Sequence, residues 1–276
     1  MHWQTTRFQI DLSRPRVMGI VNVTPDSFSD GGTHDTAPAA VAHCEQLLKE
    51  GADILDIGGE STRPGARPVP AEEEWARVGP VLAAAVKLGC PVSLDTTKPE
   101  LMRAALDLGV DIVNDIHALR SPGALDVIAA HPSAGVCLMH MQGEPQTMQV
   151  EPRYDDVVAE VRSFLAERAR VLRERGVAAE RIVVDPGIGF GKTKAHNLEL
   201  LRRQEELLGE YPLLLGWSRK STLGMVTGAP PAQRLIPSVV AALAAVQRGA
   251  RVVRVHDVAA TVQALQVWGA AGLPGD

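Results

Sequence analysis

The chain has 276 residues, and 28 basic against 33 acidic side chains leave a formal net charge of −5. Hydrophobic residues make up 45% and charged residues 22%, which excludes a disordered chain, and the mild acidity excludes the basic face that bulk nucleic-acid binding needs. No run of about 18 uninterrupted apolar residues is present and Met1–Arg16 lacks an apolar leader core, so the expectation is a cytoplasmic protein with no membrane contact.

Short β-branched runs alternate with helical patterns along the chain. In order, the expected strands are Val17–Val21, Asp53–Ile57, Val92–Leu94, Ile112–Val113, Gly135–Met139, Ile182–Val184, Leu213–Leu215 and Arg251–Val253. Helices are expected at Ala71–Leu88, Pro99–Leu108, Asp155–Arg175, Lys194–Leu208 and Ala232–Arg248. In the first of these, Trp75, Val78, Val81, Leu82 and Val86 share a face. Pro99 suits a first helical turn, where a missing N–H loses no partner. Gly51, Gly89, Gly109, Gly176 and Gly249 each close a helical run shortly before a strand. Continuous apolar strands separated by helices imply a parallel sheet covered on both faces. Eight such units point to a single-domain (β/α)₈ TIM barrel; an open doubly wound sheet is the alternative that the pattern leaves. Cys44, Cys90 and Cys137 are far apart, odd in number and without a C-x-x-C pair, against a disulfide framework or a thiolate zinc site.

In such a barrel, chemistry sits at the C-terminal ends of the strands. There the sequence places Asn22, Asp56, Asp95, Asn114-Asp115, His140, Asp185, Ser218-Arg-Lys-Ser and Arg254-Val-His256. Each has a bland reading as well. Asp95 could cap the helix at Pro99, Asp185 could seed a turn, Asp56 and Asp115 could serve as structural partners, and His140 reads best as a core histidine. All eight strand ends nevertheless carry groups costly to bury unpaired, and together they look like a site. Pro186–Thr193 resembles a phosphate-binding loop but has Pro186 where the first glycine belongs, and it falls one residue short of a dinucleotide fingerprint.

Asp95, Asn114 and Asp185 suit the reading of a flat heterocycle bearing several N–H donors, such as an amino-pyrimidinone edge. Lys220, Arg254 and His256, with Thr62 and Arg63, supply donors and positive charge for an anion. Asn22 is the neutral oxygen ligand that a phosphate-bound Mg²⁺ tolerates. The stretch Ser218–Ser221 precedes a helix whose N–H groups suit a carboxylate. A ring pocket, a phosphate site and a carboxylate site fit the transfer of a pyrophosphate-activated group.

The segments Met18–Gly32 (MGIVNVTPDSFSDGG) and Asp56–Ala66 (DIGGESTRPGA) resemble the two opening signatures of the dihydropteroate synthase family. Asp185–Lys192, Ser218–Ser221 and Arg254–Val258 resemble its later ones. The resemblance runs over about residues 14–267, which would form the pterin-binding barrel domain, with 1–13 packing on or near it and 268–276 a tail. It implies a homodimeric transferase of folate biosynthesis, the target of sulfonamides, that condenses (7,8-dihydropterin-6-yl)methyl diphosphate with 4-aminobenzoate. Asp95, Asn114, Asp185 and Lys220 would bind the pterin; Thr62, Arg254 and His256 would hold the diphosphate; Asn22 would ligate Mg²⁺. Phe28, Asp30, Arg63 and Pro64 would belong to two mobile loops that close over the diphosphate and shape the aminobenzoate pocket, and Ser221 would meet its carboxylate. The rivals are a pterin-binding methyltransferase domain acting on a corrinoid and a non-catalytic pterin-binding barrel; the anion-binding residues and the retained loop residues argue against them. Ile236-Pro237-Ser238 departs from the family pattern and leaves that helix start, and the nearby dimer surface, open.

Overall fold

The structure is a computed structural model that describes residues 1–24, 36–62 and 65–272. An antiparallel hairpin of β1 (His2–Gln4) and β2 (Gln9–Asp11) precedes eight parallel strands. These are β3 (Arg16–Asn22), β4 (Ile54–Gly58), β5 (Val92–Asp95), β6 (Ile112–Asp115), β7 (Gly135–Met139), β8 (Ile182–Asp185), β9 (Leu213–Leu215) and β10 (Ala250–Val255). They close in the order β10-β3-β4-β5-β6-β7-β8-β9, so no barrel edge is left unpaired. The chain is a (β/α)₈ barrel, and the doubly wound alternative falls.

Nine helices are formed by the described residues: α1 (Thr36–Lys49), α2 (Ala71–Ala85), α3 (Pro99–Asp107), α4 (Ala124–Ala130), α5 (Val157–Glu174), α6 (Lys194–Arg202), α7 (Ser221–Thr227), α8 (Leu235–Gln247) and α9 (Val258–Ala270). Outward-facing Leu55, Ile57, Val92 and Leu94 pack with Val78, Leu82, Leu101 and Ala105 of α2 and α3. Val136, Leu138 and Val184 pack likewise with Val161, Leu165 and Leu200 of α5 and α6. The five glycines expected to stop helices all have positive φ, between 76° and 99°.

The boundaries differ from the sequence pattern where the cause is local. The helix expected over Lys194–Leu208 breaks at Arg203, and Gln204–Leu207 continues as a 3₁₀ turn in which the buried Gln204 amide donates to the Ala245 and Arg248 carbonyls. The one expected over Ala232–Arg248 begins as a separate 3₁₀ turn, Pro231–Gln233. Pro237 lies in the first turn of α8, where its missing N–H costs no helical bond. Ser238 is buried; its hydroxyl donates to Arg234 O and accepts from Arg219 N, so the Ile-Pro-Ser departure gives a closed helix start.

Strand register sorts the interior. Met18 pairs with Ile54, Asn22 with Gly58, Asp56 with Ser93, Gly58 with Asp95, Asp95 with Asn114, Met139 with Asp185 and Arg254 with Met18. Registered residues share a face and faces alternate with period two, so Asn22, Asp56, Asp95, Asn114, Asp185 and Arg254 all point into the barrel. Beneath them Met18, Ile54, Ile112, Cys137, Val183, Leu214 and Val252 form an apolar layer, closed at the bottom by Trp3, Ile10 and Leu12.

Candidate active site

The polar layer is organised by Arg254. Its Nε donates to Asp56 Oδ2 at 2.6 Å and its Nη2 to Asp95 Oδ2 at 2.7 Å, while Asn114 Nδ2 donates to the same Asp56 oxygen at 3.2 Å. Asp56 is fully buried, whereas the Arg254 side chain is 22% exposed at the mouth. Two carboxylates thus share one guanidinium. Burial pushes Asp95 up to about 7 despite the attraction of Arg254. Burial disfavours the Arg254 charge too, yet Asp56 and Asp95 hold it above the ordinary range. Asp56 is therefore a structural partner for arginine, as one reading of the sequence had it. Asp95 caps nothing: the N-cap of α3 is Lys98.

Asp185 is buried at the end of β8 and takes the Gly187 N–H on Oδ1 at 2.7 Å. That turn bond uses one of its two oxygens. Burial raises its pKa, opposed by the Gly187 N–H and by the charge of Lys220. Burial in turn lowers Lys220 to about 8, with Asp185 as the main opposing charge. Lys220 Nζ stands 4.1 Å from the centroid of the Phe190 ring. Phe190 packs on Ile116, Met139, Met141 and Met148, an apolar wall beside the carboxylates. The sequence motifs did not single out this wall, because apolar residues after a strand read as core. The one signal was Phe190, a rare aromatic set between glycines.

At the β9 and β10 ends, Ser218 Oγ accepts from His256 N at 3.1 Å and lies 3.0 Å from His256 Nδ1. Burial and the Arg254 charge push the imidazole down to about 3, so it is neutral. Thr62 and Asp95 line a cavity of about 300 Å³ that reaches Lys98, Ile116 and His117. Lys98 Nζ bridges Glu60 and the buried Glu74 on its wall. Asn22 brings a neutral amide oxygen to the mouth at the level of Gly58. Among the described residues no group of three or more His, Cys, Asp or Glu could hold a metal ion unaided.

Three expected positions stand apart. Ser221 is exposed as the first residue of α7, after the N-cap Lys220. Asp115 is turned to structure, accepting from the backbone N–H groups of His117 and Leu119. His140 is a buried histidine packed edge-on to Phe164. Phe28, Asp30, Arg63 and Pro64 lie outside the described residues.

Residues 18–256 match the family described as "Pterin binding enzyme". The chain is 56% identical to the dihydropteroate synthase of Neisseria meningitidis serogroup B, over 98% of both chains. It is similar to the solved structure of Xanthomonas albilineans dihydropteroate synthase with 4-aminobenzoic acid, with 53% identity, 99% of each chain covered and a TM-score of 0.92. The Burkholderia cenocepacia enzyme complexed with 7,8-dihydropteroate is also 53% identical, with 98% and 96% covered and a TM-score of 0.90.

Proposed function

The chain belongs to the pterin-binding enzyme family, and from that premise we infer how its barrel mouth works. It condenses (7,8-dihydropterin-6-yl)methyl diphosphate with 4-aminobenzoate to give 7,8-dihydropteroate and pyrophosphate, a transferase step of folate biosynthesis. The observation that carries the residue assignment is the inward polar layer, in which Arg254 is shared by Asp56 and Asp95, with Asn114 alongside.

In this assignment Asp95, Asn114 and Asp185 read the amino-pyrimidinone edge of the pterin, while the wall of Phe190 and Met139 covers its face. The C–O bond to the diphosphate breaks first, and the electron pair leaves with pyrophosphate. The positive charge left on the methylene spreads into the dihydropterin ring, where Asp95 and Asp185 favour it in a poorly hydrated pocket. The aminobenzoate nitrogen then forms the C–N bond and gives up a proton. Arg254, Thr62 and His256 hold the departing diphosphate, and Lys220 stays with the pterin beside Asp185.

The donor chemistry fits a Mg²⁺ that would arrive with the diphosphate: Asn22 would hold it through one neutral oxygen. When bound, the ion lowers the charge of the leaving group. The aminobenzoate pocket, where sulfonamides compete, is assigned to Phe28, Asp30, Arg63, Pro64 and Ser221. A second copy of the chain is assigned to the exposed apolar side chains of α7 and α8, Met225, Val226, Leu235, Ile236 and Val240, as a homodimer. The setting is cytoplasmic; no helix among the described residues is long and apolar enough to cross a membrane.

The test is pyrophosphate release from the pterin diphosphate with Mg²⁺, with and without 4-aminobenzoate, alongside product detection. Aminobenzoate-dependent dihydropteroate is expected. Pterin binding with no product would return the methyltransferase and scaffold readings.

A further inference from the structure

Lys192 is 2% exposed, and among the described residues no carboxylate lies within ion-pair distance of it. Its Nζ sits 3.0 Å from Gly187 O, 3.0 Å from Phe190 O, 3.3 Å from His140 O and 2.9 Å from His140 Nδ1. Burial and the Lys192 charge push His140 down to about 3, so its ring is neutral. The cage holds three carbonyl acceptors, one for each N–H of an ammonium, with the His140 ring beside them. Burial lowers Lys192 itself to about 7. A neutral amine, however, brings two N–H groups and turns its lone pair toward an oxygen, whereas the ammonium brings three donors.

The carbonyls come from two segments, the glycine-rich stretch after β8 and His140 at the end of β7. These lie flush against each other. A Cβ at Gly187 would fall 1.9 Å from His140 O, and one at Gly191 would fall 2.3 Å from Gln142 O. Lys192 is the cation at that seam. Three groups of the pterin pocket hang on it: Asp185, bonded to Gly187 N; Phe190, whose own carbonyl is in the cage; and Lys220, which stands over the Phe190 ring.

We propose that Lys192 is a positioning residue for the pterin, an internal cation that fixes the Gly187–Gly191 stretch and so sets Asp185 and the Phe190 ring without touching either substrate. The inference rests on the pterin site assigned above. It explains why a stretch resembling a phosphate-binding loop ends in lysine here: the ammonium binds the loop's own carbonyls in place of a phosphate.

The test is steady-state kinetics of Lys192→Met, Phe190→Leu and the double variant, with Lys192→Gln as a milder change should the methionine variant fold poorly. Expected is a KM for the pterin diphosphate raised about tenfold or more, with kcat and the KM for 4-aminobenzoate changed much less. In the double variant the loss should fall well short of the sum of the two single losses, because Lys192 acts through Phe190. An unchanged pterin KM, or fully additive losses, would overturn the proposal. Calorimetric titration with 6-hydroxymethyl-7,8-dihydropterin gives the same comparison without turnover. A wild-type protein that bound this pterin but made no product would fail the functional assignment and leave the role of Lys192 testable by affinity.

Discussion

The floor and the mouth of this barrel are built from the same strands and obey opposite rules. At the floor, Met18, Ile54, Ile112, Leu214 and Val252 meet the buried Trp3, whose indole N–H is satisfied by Arg181 O at 3.0 Å. Two residues further along the same strands, the inward positions become Asp56, Asn114 and Arg254. The period-two alternation of a strand lets an apolar layer carry stability while the next layer, about 6–7 Å higher, carries charge. Such a layer is stable only if its charges compensate one another. At the mouth that depends on one arginine.

Removing that arginine should have the largest effect. Arg254→Ala leaves Asp56 and Asp95 buried without their shared cation, which should cost about 3 kcal/mol or more as well as the grip on the diphosphate. A clear fall in melting temperature is expected together with near-complete loss of kcat/KM. Adding Asp56→Asn should restore part of the stability and none of the activity. An unchanged melting temperature in Arg254→Ala would break the claim that the mouth depends on this residue. The motifs alone point to retained binding of bare pterin in that variant; the shared Asp95 contact points to weakened binding, and calorimetry separates the two.

Asp185→Asn comes next. The amide keeps the shape and an oxygen for Gly187 N–H, so folding should be preserved, whereas the charge facing the pterin cation is lost. A fall in kcat on the order of 10²-fold is expected from electrostatic stabilisation of this kind, with a near-normal melt. A rate close to wild type would remove Asp185 from the mechanism. Trp3→Ala probes the other end: about 3–5 kcal/mol of stability should go with the lost indole, while both KM values hold. A changed pterin KM in that variant would mean that floor and mouth are coupled.

The strands and their order were legible because buried parallel strands are continuous apolar runs. Their last residues were not. Asp95, Asp115 and Asp185 belong to strands, yet the expected runs stop one or two residues short, at Leu94, Val113 and Val184, because polar residues break an apolar pattern. The β1–β2 hairpin was also out of reach, since three-residue strands carry too little pattern, and Trp3 gives no hint that it stops a barrel. At the site, signature resemblance picked out Asp95, Asn114, Asp185, Lys220 and Arg254, but no motif announces that Arg254 bonds Asp56, 198 residues earlier. Lys192 stood in plain view inside a failed phosphate-loop pattern. Only its burial and the carbonyls around it reveal its place.

The smallest effect expected is a pH dependence, and it sharpens the contrast further, because Met18, Ile54, Ile112, Leu214 and Val252 of the floor carry no ionisable side chain. Asp95 has its carboxyl raised from 3.8 to about 7 by burial, with Arg254 opposing and Asp56 adding to the rise. The folded protein therefore binds this proton more tightly than the unfolded chain does. Whatever Asp95 contributes to stability is present below pH 4 and is lost as pH climbs toward 7. Its function runs the other way, since only the ionised carboxylate accepts two hydrogen bonds from the pterin edge. On this account kcat/KM for the pterin diphosphate should fall as pH drops through about 7, reporting the free enzyme. In Asp95→Asn that acid limb should flatten, and the stability slope between pH 4 and 7 should flatten with it. If both slopes survive the substitution, the titrating group is another buried carboxyl at a strand end, and Asp115, raised to about 6 by burial, is the next to replace.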